Sequence, residues 1–275
     1  KYGYSYPILE GLLERKYPLM FSSKGPMITD PKFMALFEKY KHNNSVAFQF
    51  SIVTADDELA KKVEPGVPPP SARFEYMKTL SSMGFWCILR LRPFIIGVTD
   101  HTLPILMEKA YESGARAVST EFYAMDQRCV GSMRKATENM GNLMGIKDIF
   151  KYFTSLSPKE RGGYCRLNRL VKEQYVKYMY KFCYEHDMVF TCSDPDFKEL
   201  SMSQNCCGLP PHGLHSNPEM NNWSPHQLTA HIMQARIDYH KTGKRNILTF
   251  DNVFKPRDWL FNEVALSHMD IGVTK

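Results

Sequence analysis

Two pairs of polar residues fall where a folded chain has little tolerance for them. Arg90 and Arg92 lie in the run FWCILRLRPF (85–94), and Gln49 and Ser51 lie in VAFQFSIV (46–53). Both runs are rich enough in β-branched and aromatic residues to be buried strands. Side chains alternate along a strand, so Gln49 and Ser51 share one face, as do Arg90 and Arg92. A sheet covered by helices needs apolar residues on both faces, and an inward guanidinium is costly without a partner or a ligand. At the carboxyl end of a strand in an α/β sheet or barrel, such a group sits where ligands bind. The competing reading sends one arginine past the helices into solvent and pairs the other with an acid. The rest of the chain favours a site.

A second chemical cluster comes later. Cys206 and Cys207 are adjacent in CCGLPPHGLH, with His212 and His215 downstream and Cys192 upstream. Thiolates and imidazoles are metal-ligand material, but this spacing fits no standard zinc motif. Vicinal cysteines are expected to chelate one ion poorly, and a pair of buried structural thiols is the competing reading.

These residues must be held by elements, and the chain supplies them in alternation. Residues 7–16 read as a helix and 18–23 as a strand running into Lys24-Gly25-Pro26. Asp30-Pro31 starts a helix, with Asp as N-cap and Pro at the first position. The strand at 46–53 follows, then a helix over 71–83 carrying Phe74, Met77 and Leu80 at helical spacing and ending at Gly84. The strand at 85–92 is expected to stop at Pro93. Thr99-Asp100 caps a helix over 103–113 that Gly114 ends, and 116–122 is the next strand, with Ser119 and Glu121 on a common face. Strand–helix–strand repetition of this kind points to a wound parallel sheet or partial barrel. Residues 124–161 break the pattern with short helices near 130–142 and 147–153, an excursion of the length that makes a lid or a buttress. A long helix over 165–186 and a strand at 188–194 follow, the latter with Cys192 and Asp194 on one face. Beyond residue 200 come a polar segment, a helix over 226–241 and a short strand at 246–250.

Composition sets the outer limits. At 275 residues with 43% hydrophobic content, the chain can bury the core of one barrel-sized domain. A net charge of +6 permits an acidic partner without arguing for one. There is no apolar run of bilayer length and no signal-peptide pattern over 1–17, so no membrane partner is expected. Seven cysteines, an odd number without framework spacing, point to reduced thiols and a cytoplasmic setting.

The run SIVTADDELAKKVEPGVPPPSARFEYMKTLSSMG, followed by RLRPFIIGVTD and GARAVSTEF, resembles the radical S-adenosylmethionine superfamily, in its spore photoproduct lyase-like branch. SDPDFKEL and CCGLP fit the same branch. The resemblance implies an α/β fold, a partial (β/α)6 barrel of parallel strands over 1–200 with an insertion at 124–165, and a C-terminal extension over 201–275. It also implies a [4Fe-4S] cluster and S-adenosylmethionine at the carboxyl ends of the strands, with reductive cleavage to a 5′-deoxyadenosyl radical. Flavodoxin or ferredoxin would be the electron donor and nucleic acid a candidate substrate, although no basic stripe with interleaved aromatics is present. The alternatives are a cluster-less barrel that binds a ligand or a partner protein, and a metal-dependent lyase or hydrolase barrel using Cys192, His212 and His215.

By that resemblance Ser22, Ser23 and Lys24 match the segment that contacts the methionine moiety. Ser51 matches the polar strand-end residue near the ribose or carboxylate. Arg90 and Arg92 sit where a basic residue meets the cofactor carboxylate, and Glu121 pairs with either arginine or binds an amino group. The superfamily's C-x3-C-x2-C element is missing: no three of the seven cysteines have that spacing. The chain opens on Lys1 rather than Met, and the expectation is that the first strand and cluster loop precede it. Cys206 and Cys207 remain as an auxiliary metal site, better suited to an iron–sulfur cluster than to zinc.

Overall fold

The computed structural model describes residues 5–14, 16–25, 30–157, 163–203, 205–210, 214 and 241–242. The chain divides into two compact units, Lys1–His215 and Ser216–Lys275. Of the second unit only Lys241 and Thr242 are described, both helical. The strand at 246–250, the rest of the helix at 226–241, and His212 and His215 lie outside the described residues.

The first unit is built on strands β1 (Leu19–Ser23), β2 (Val46–Ser51), β3 (Trp86–Phe94), β4 (Ala115–Phe122) and β7 (Val189–Cys192). They form one sheet in the order β1-β2-β3-β4-β7, every neighbouring pair parallel. The strand order follows chain order without reversal. Right-handed crossovers that always step the same way put their helices on one side of the sheet, as in a barrel and unlike a doubly wound sheet. This is the expected partial-barrel α/β architecture.

The helical side holds the main core. Phe48, Phe50, Leu89, Leu91, Val118 and Phe190 from the strands are buried there. They meet Leu36 and Phe37 of α2 (Pro31–Lys39), Met77 and Leu80 of α4 (Pro70–Ser82), Leu106 and Met107 of α5 (Leu103–Glu112) and Val176 and Met179 of α8 (Arg169–Glu185). Each such side chain contributes about 1.5–3 kcal/mol by leaving water. Helix α1 (Ser5–Glu14) adds Leu9 and Leu13 to the same core.

Local chemistry explains most boundaries. Asp30 accepts a hydrogen bond from the Lys32 amide and starts α2, with Pro31 in the first turn. Gly84, at φ +86°, ends α4, and its amide bonds the Ser81 carbonyl. The structure also corrects several expectations. Strand β3 does not stop at Pro93: it continues to Phe94, across a register irregularity against β4 where a proline lacking an amide donor is tolerated. Thr99 and Asp100 do not cap the next helix. Their side chains turn back to accept from the Ile95 and Gly97 amides. A helix not foreseen, α3 (Asp57–Val63), is capped by Asp56 and buries only Ala60. The long helix begins at Arg169 rather than 165, capped by Asn168, because residues 164–166 are used as a strand.

That strand belongs to the insertion. Strands β5 (Ala124–Asp126) and β6 (Tyr164–Arg166) pair antiparallel, bracketing α6 (Gly131–Leu143) and α7 (Ile149–Leu156). The insertion has its own core, in which Met125, Met144, Ile149, Phe153 and Leu167 surround Ile95 and Val98 from the loop after β3. It is a packed helical buttress. Gly97, at φ +89°, lies so close to it that a Cβ there would stand 2.6 Å from the Met144 carbonyl oxygen.

Candidate functional site

The face of the sheet opposite the helices carries the polar residues, in layers set by register. Gln49, Ile88, Ala117 and Val189 form one layer, and Ser51, Arg90, Ser119 and Thr191 the next toward the carboxyl ends. Beyond it, by alternation, come Arg92, Glu121 and Ser193. The face therefore turns from apolar to charged along the strands.

Ser51, Arg90, Arg92 and Glu121 converge at that end. The Arg90 guanidinium donates to Ser51 Oγ at 3.2 Å and to the Arg92 carbonyl at 3.4 Å. Arg92 donates through Nε at 3.0 Å and through a terminal nitrogen at 2.5 Å, both to Glu121 Oε2. This pair is part-exposed, 17% and 35% for the two side chains. Arg92 has its acid, while Arg90 has no carboxylate partner among the described residues. Burial, and then the charge of Arg92, push the Arg90 pKa down. For Arg92, burial pulls downward but the hydrogen bond and charge of Glu121 outweigh it, and its pKa is raised.

Ser51 is fixed from behind. Arg73 of α4, 1% exposed, donates to the Ser51 carbonyl and to Glu64 Oε2, both at 2.6 Å, and to the Pro68 carbonyl at 2.7 Å. Glu64 also takes Lys24. The end of β2 is thus held by a charge network that the sequence pattern did not reveal, because Arg73 falls on the apolar stripe of its helix. The same network reaches the end of β1. Lys24 is committed to Glu64, and Ser23 accepts the Gly25 amide in its own turn. Ser22 pairs in register with Gln49 and shares its face, exposed on the outer strand, one layer short of Ser51.

Among the described residues no helix lies over the inner face. Residues 205–209 cross it instead as a strap. Three consecutive carbonyls are each held by a side chain from a different strand: Cys206 by Ser119 Oγ at 2.9 Å, Cys207 by Gln49 Nε2 at 2.6 Å and Gly208 by Trp86 Nε1 at 2.8 Å. Asn205 Oδ1 accepts from the Cys207 and Leu209 amides at 3.1 and 3.0 Å and shapes the turn. Gly208 has φ +75°, and a Cβ on it would stand 3.0 Å from Ile88 Cγ2 and 3.2 Å from Ala117 Cβ. Glycine, with positive φ and no Cβ, suits this close approach.

The strap carries the two cysteines to the arginines. Their sulfurs are 3.7 Å apart. They are not a buried structural pair: Cys206 is exposed and Cys207 half-buried. Burial raises the Cys206 pKa, but the hydrogen bond with Cys207 and the charge of Arg92 outweigh it and set it below the ordinary thiol range. Burial, together with the bond and charge of Cys206, puts Cys207 above it. Cys192 is elsewhere, buried in the core on the helical side, where desolvation pushes it up to about 12. It does not join Cys206 and Cys207. Asp194 is not at the site either: it accepts the Phe122 amide at 3.0 Å and pairs with the buried Lys172 at 2.9 Å. Among the described residues, no three His, Cys, Asp or Glu side chains are grouped to hold a metal ion.

No protein-family profile matches the chain. Over 83 residues it is 30% identical to the uncharacterized protein ORF301 of Acidianus two-tailed virus, a match covering 29% of this chain and 26% of that protein. Among solved structures, a single-residue mutant of spore photoproduct lyase is similar over 67% of this chain and 54% of that one, with a TM-score of 0.48 and 13% identity. The chain thus spans about a quarter of the viral protein and about half of the lyase in these matches. No helix among the described residues is long and apolar enough to cross a membrane.

Proposed function

We propose that the carboxyl-end site binds S-adenosylmethionine and that the chain is the barrel of a radical S-adenosylmethionine enzyme. The observation that carries this reading is Arg90, a half-buried guanidinium at a strand end, hydrogen-bonded to Ser51 and without a carboxylate partner among the described residues. A cation in that state favours an anionic ligand, and a guanidinium matches a carboxylate fork. Glu121 engages Arg92 through Oε2 alone. Its other oxygen suits an ammonium group, so an α-amino acid moiety meets both charges. Arg73 contributes by holding the Ser51 backbone.

The cofactor's sulfonium supplies the adenosyl group. Its reductive cleavage belongs to an iron–sulfur cluster, and the cysteines of this chain do not fit one: none have C-x3-C-x2-C spacing, and no three converge among the described residues. No step is assigned to that group. The second reading is a ligand-binding module without redox chemistry.

Calorimetric titration with S-adenosylmethionine tests the proposal. Arg90→Ala is expected to weaken binding by about 10–100-fold, the loss of one hydrogen-bonded charge contact. Absence of binding, or equal affinity in the variant, overturns it. Formation of 5′-deoxyadenosine after anaerobic iron–sulfur reconstitution, with binding established, separates the enzyme from the module.

A further inference from the structure

The strap presents two thiols in a fixed relation that the adenosylmethionine reading leaves without a role. Their spacing is informative. Two thiolates about 2.3 Å from a tetrahedral ion stand about 3.8 Å apart, and the Cys206 and Cys207 sulfurs are 3.7 Å apart. The pair is therefore already at the bite of a zinc-sized chelate.

The rival use of two adjacent thiols is a disulfide. That requires the sulfurs to close to about 2.05 Å, across Cα atoms nearer together than the usual lower limit of about 4.4 Å for a bridged pair. The peptide that would have to turn is the one between the cysteines, and Ser119 holds its carbonyl while Gln49 holds the next. These bonds favour the open dithiol.

We propose that Cys206 and Cys207 form a two-thiolate seat for a tetrahedral d10 metal ion of zinc's size, with two coordination positions left for an exogenous ligand. The described residues bring together only these two protein ligands, too few for a closed structural site, and an ion so held is exchangeable and ligand-accepting. The charges around it agree. Arg92 is neutralised by Glu121, and two thiolates neutralise a divalent ion. What remains is the charge of Arg90, so an anion on an open position completes the balance. The inference does not rest on adenosylmethionine binding, and its test contains none.

The remaining cysteines, Cys87, Cys129, Cys165, Cys183 and Cys192, are buried, which makes the experiment selective. Under anaerobic, reducing conditions the native chain is titrated with Co2+, then with Zn2+. The expected result is a near-ultraviolet thiolate-to-cobalt band saturating at one equivalent and bleached by one equivalent of zinc. Cys206→Ser and Cys207→Ser should each weaken it by more than about tenfold, since loss of even an outer-shell partner costs that much. No band in the native chain, or a band that persists in the double variant, overturns the proposal. A measurement on the unaltered protein guards against misfolded variants: zinc should protect both accessible thiols from a disulfide reagent. Undiminished labelling under saturating zinc refutes the seat.

Discussion

Gln49 donates through Nε2 to the Cys207 carbonyl at 2.6 Å, joining residues 158 positions apart. Gln49 is 3% exposed, so without the strap its amide has no such partner. Gln49→Leu should leave the Cys207 carbonyl unsatisfied and lower stability by about 1–3 kcal/mol. Denaturant unfolding measures the loss. Labelling of Cys206 and Cys207 should also speed up if this bond holds the strap, and unchanged labelling would show that Ser119 and Trp86 suffice.

Cys206 should be the first thiol alkylated in the native chain, with a rate-against-pH inflection below the ordinary thiol range. Arg92→Ala should move that inflection upward, since it removes a charge that favours the thiolate. Cys87 and Cys192, raised to about 12 by burial, should stay unmodified at neutral pH. Mass spectrometry of timed samples reads both results.

Lys172 is fully buried, its Nζ 2.9 Å from Asp194 and 2.8 Å from Asp196. Lys172→Met strands the Asp194 charge and should cost about 3–5 kcal/mol. Adding Asp194→Asn removes that charge, and the double variant should recover part of the loss in thermal unfolding. A double variant less stable than Lys172→Met would mean that the Asp194 bond to the Phe122 amide dominates.

Asp57, on α3, accepts from the backbone amide of Ser71 at 3.0 Å and from its hydroxyl at 2.6 Å, and so caps α4 from outside. Pro69, the residue before that helix, provides no side-chain cap. Asp57→Ala should cost about 0.5–2 kcal/mol. Burial raises the Asp57 pKa, but the Ser71 bonds and then the Lys109 and Lys61 charges outweigh it, so the folded value is depressed. Its contribution is therefore complete above the ordinary carboxylate value and is lost as pH falls through the folded one. The stability difference between native chain and variant should vanish at the acid end of that window.

What the sequence made legible was whatever period and punctuation encode. Phe74, Met77 and Leu80 marked α4, Asp30-Pro31 marked the start of α2, and alternation put Ser51, Arg90 and Arg92 near strand ends. What stayed hidden were relations between distant segments. Arg73 lies on the apolar stripe of α4, and its partners, Glu64 and the Ser51 carbonyl, come from other elements that no local pattern names. Lys24 looks like a site lysine until Glu64 takes it. Pro93 reads as a terminator because strand pairing, not local preference, carries β3 onward to Phe94. Cys206 and Cys207 were visible as chemistry, but their common orientation depends on donors in three strands.

The strap also fixes a temporal order. A chain emerges from the ribosome amino terminus first, so all five strands of the sheet are made before residues 205–209 that cross it. In a nascent chain halted at residue 200, the donors on Gln49, Trp86 and Ser119 would face water. The sheet's polar face would gain these three contacts only once residues 205–209 were made and docked across it.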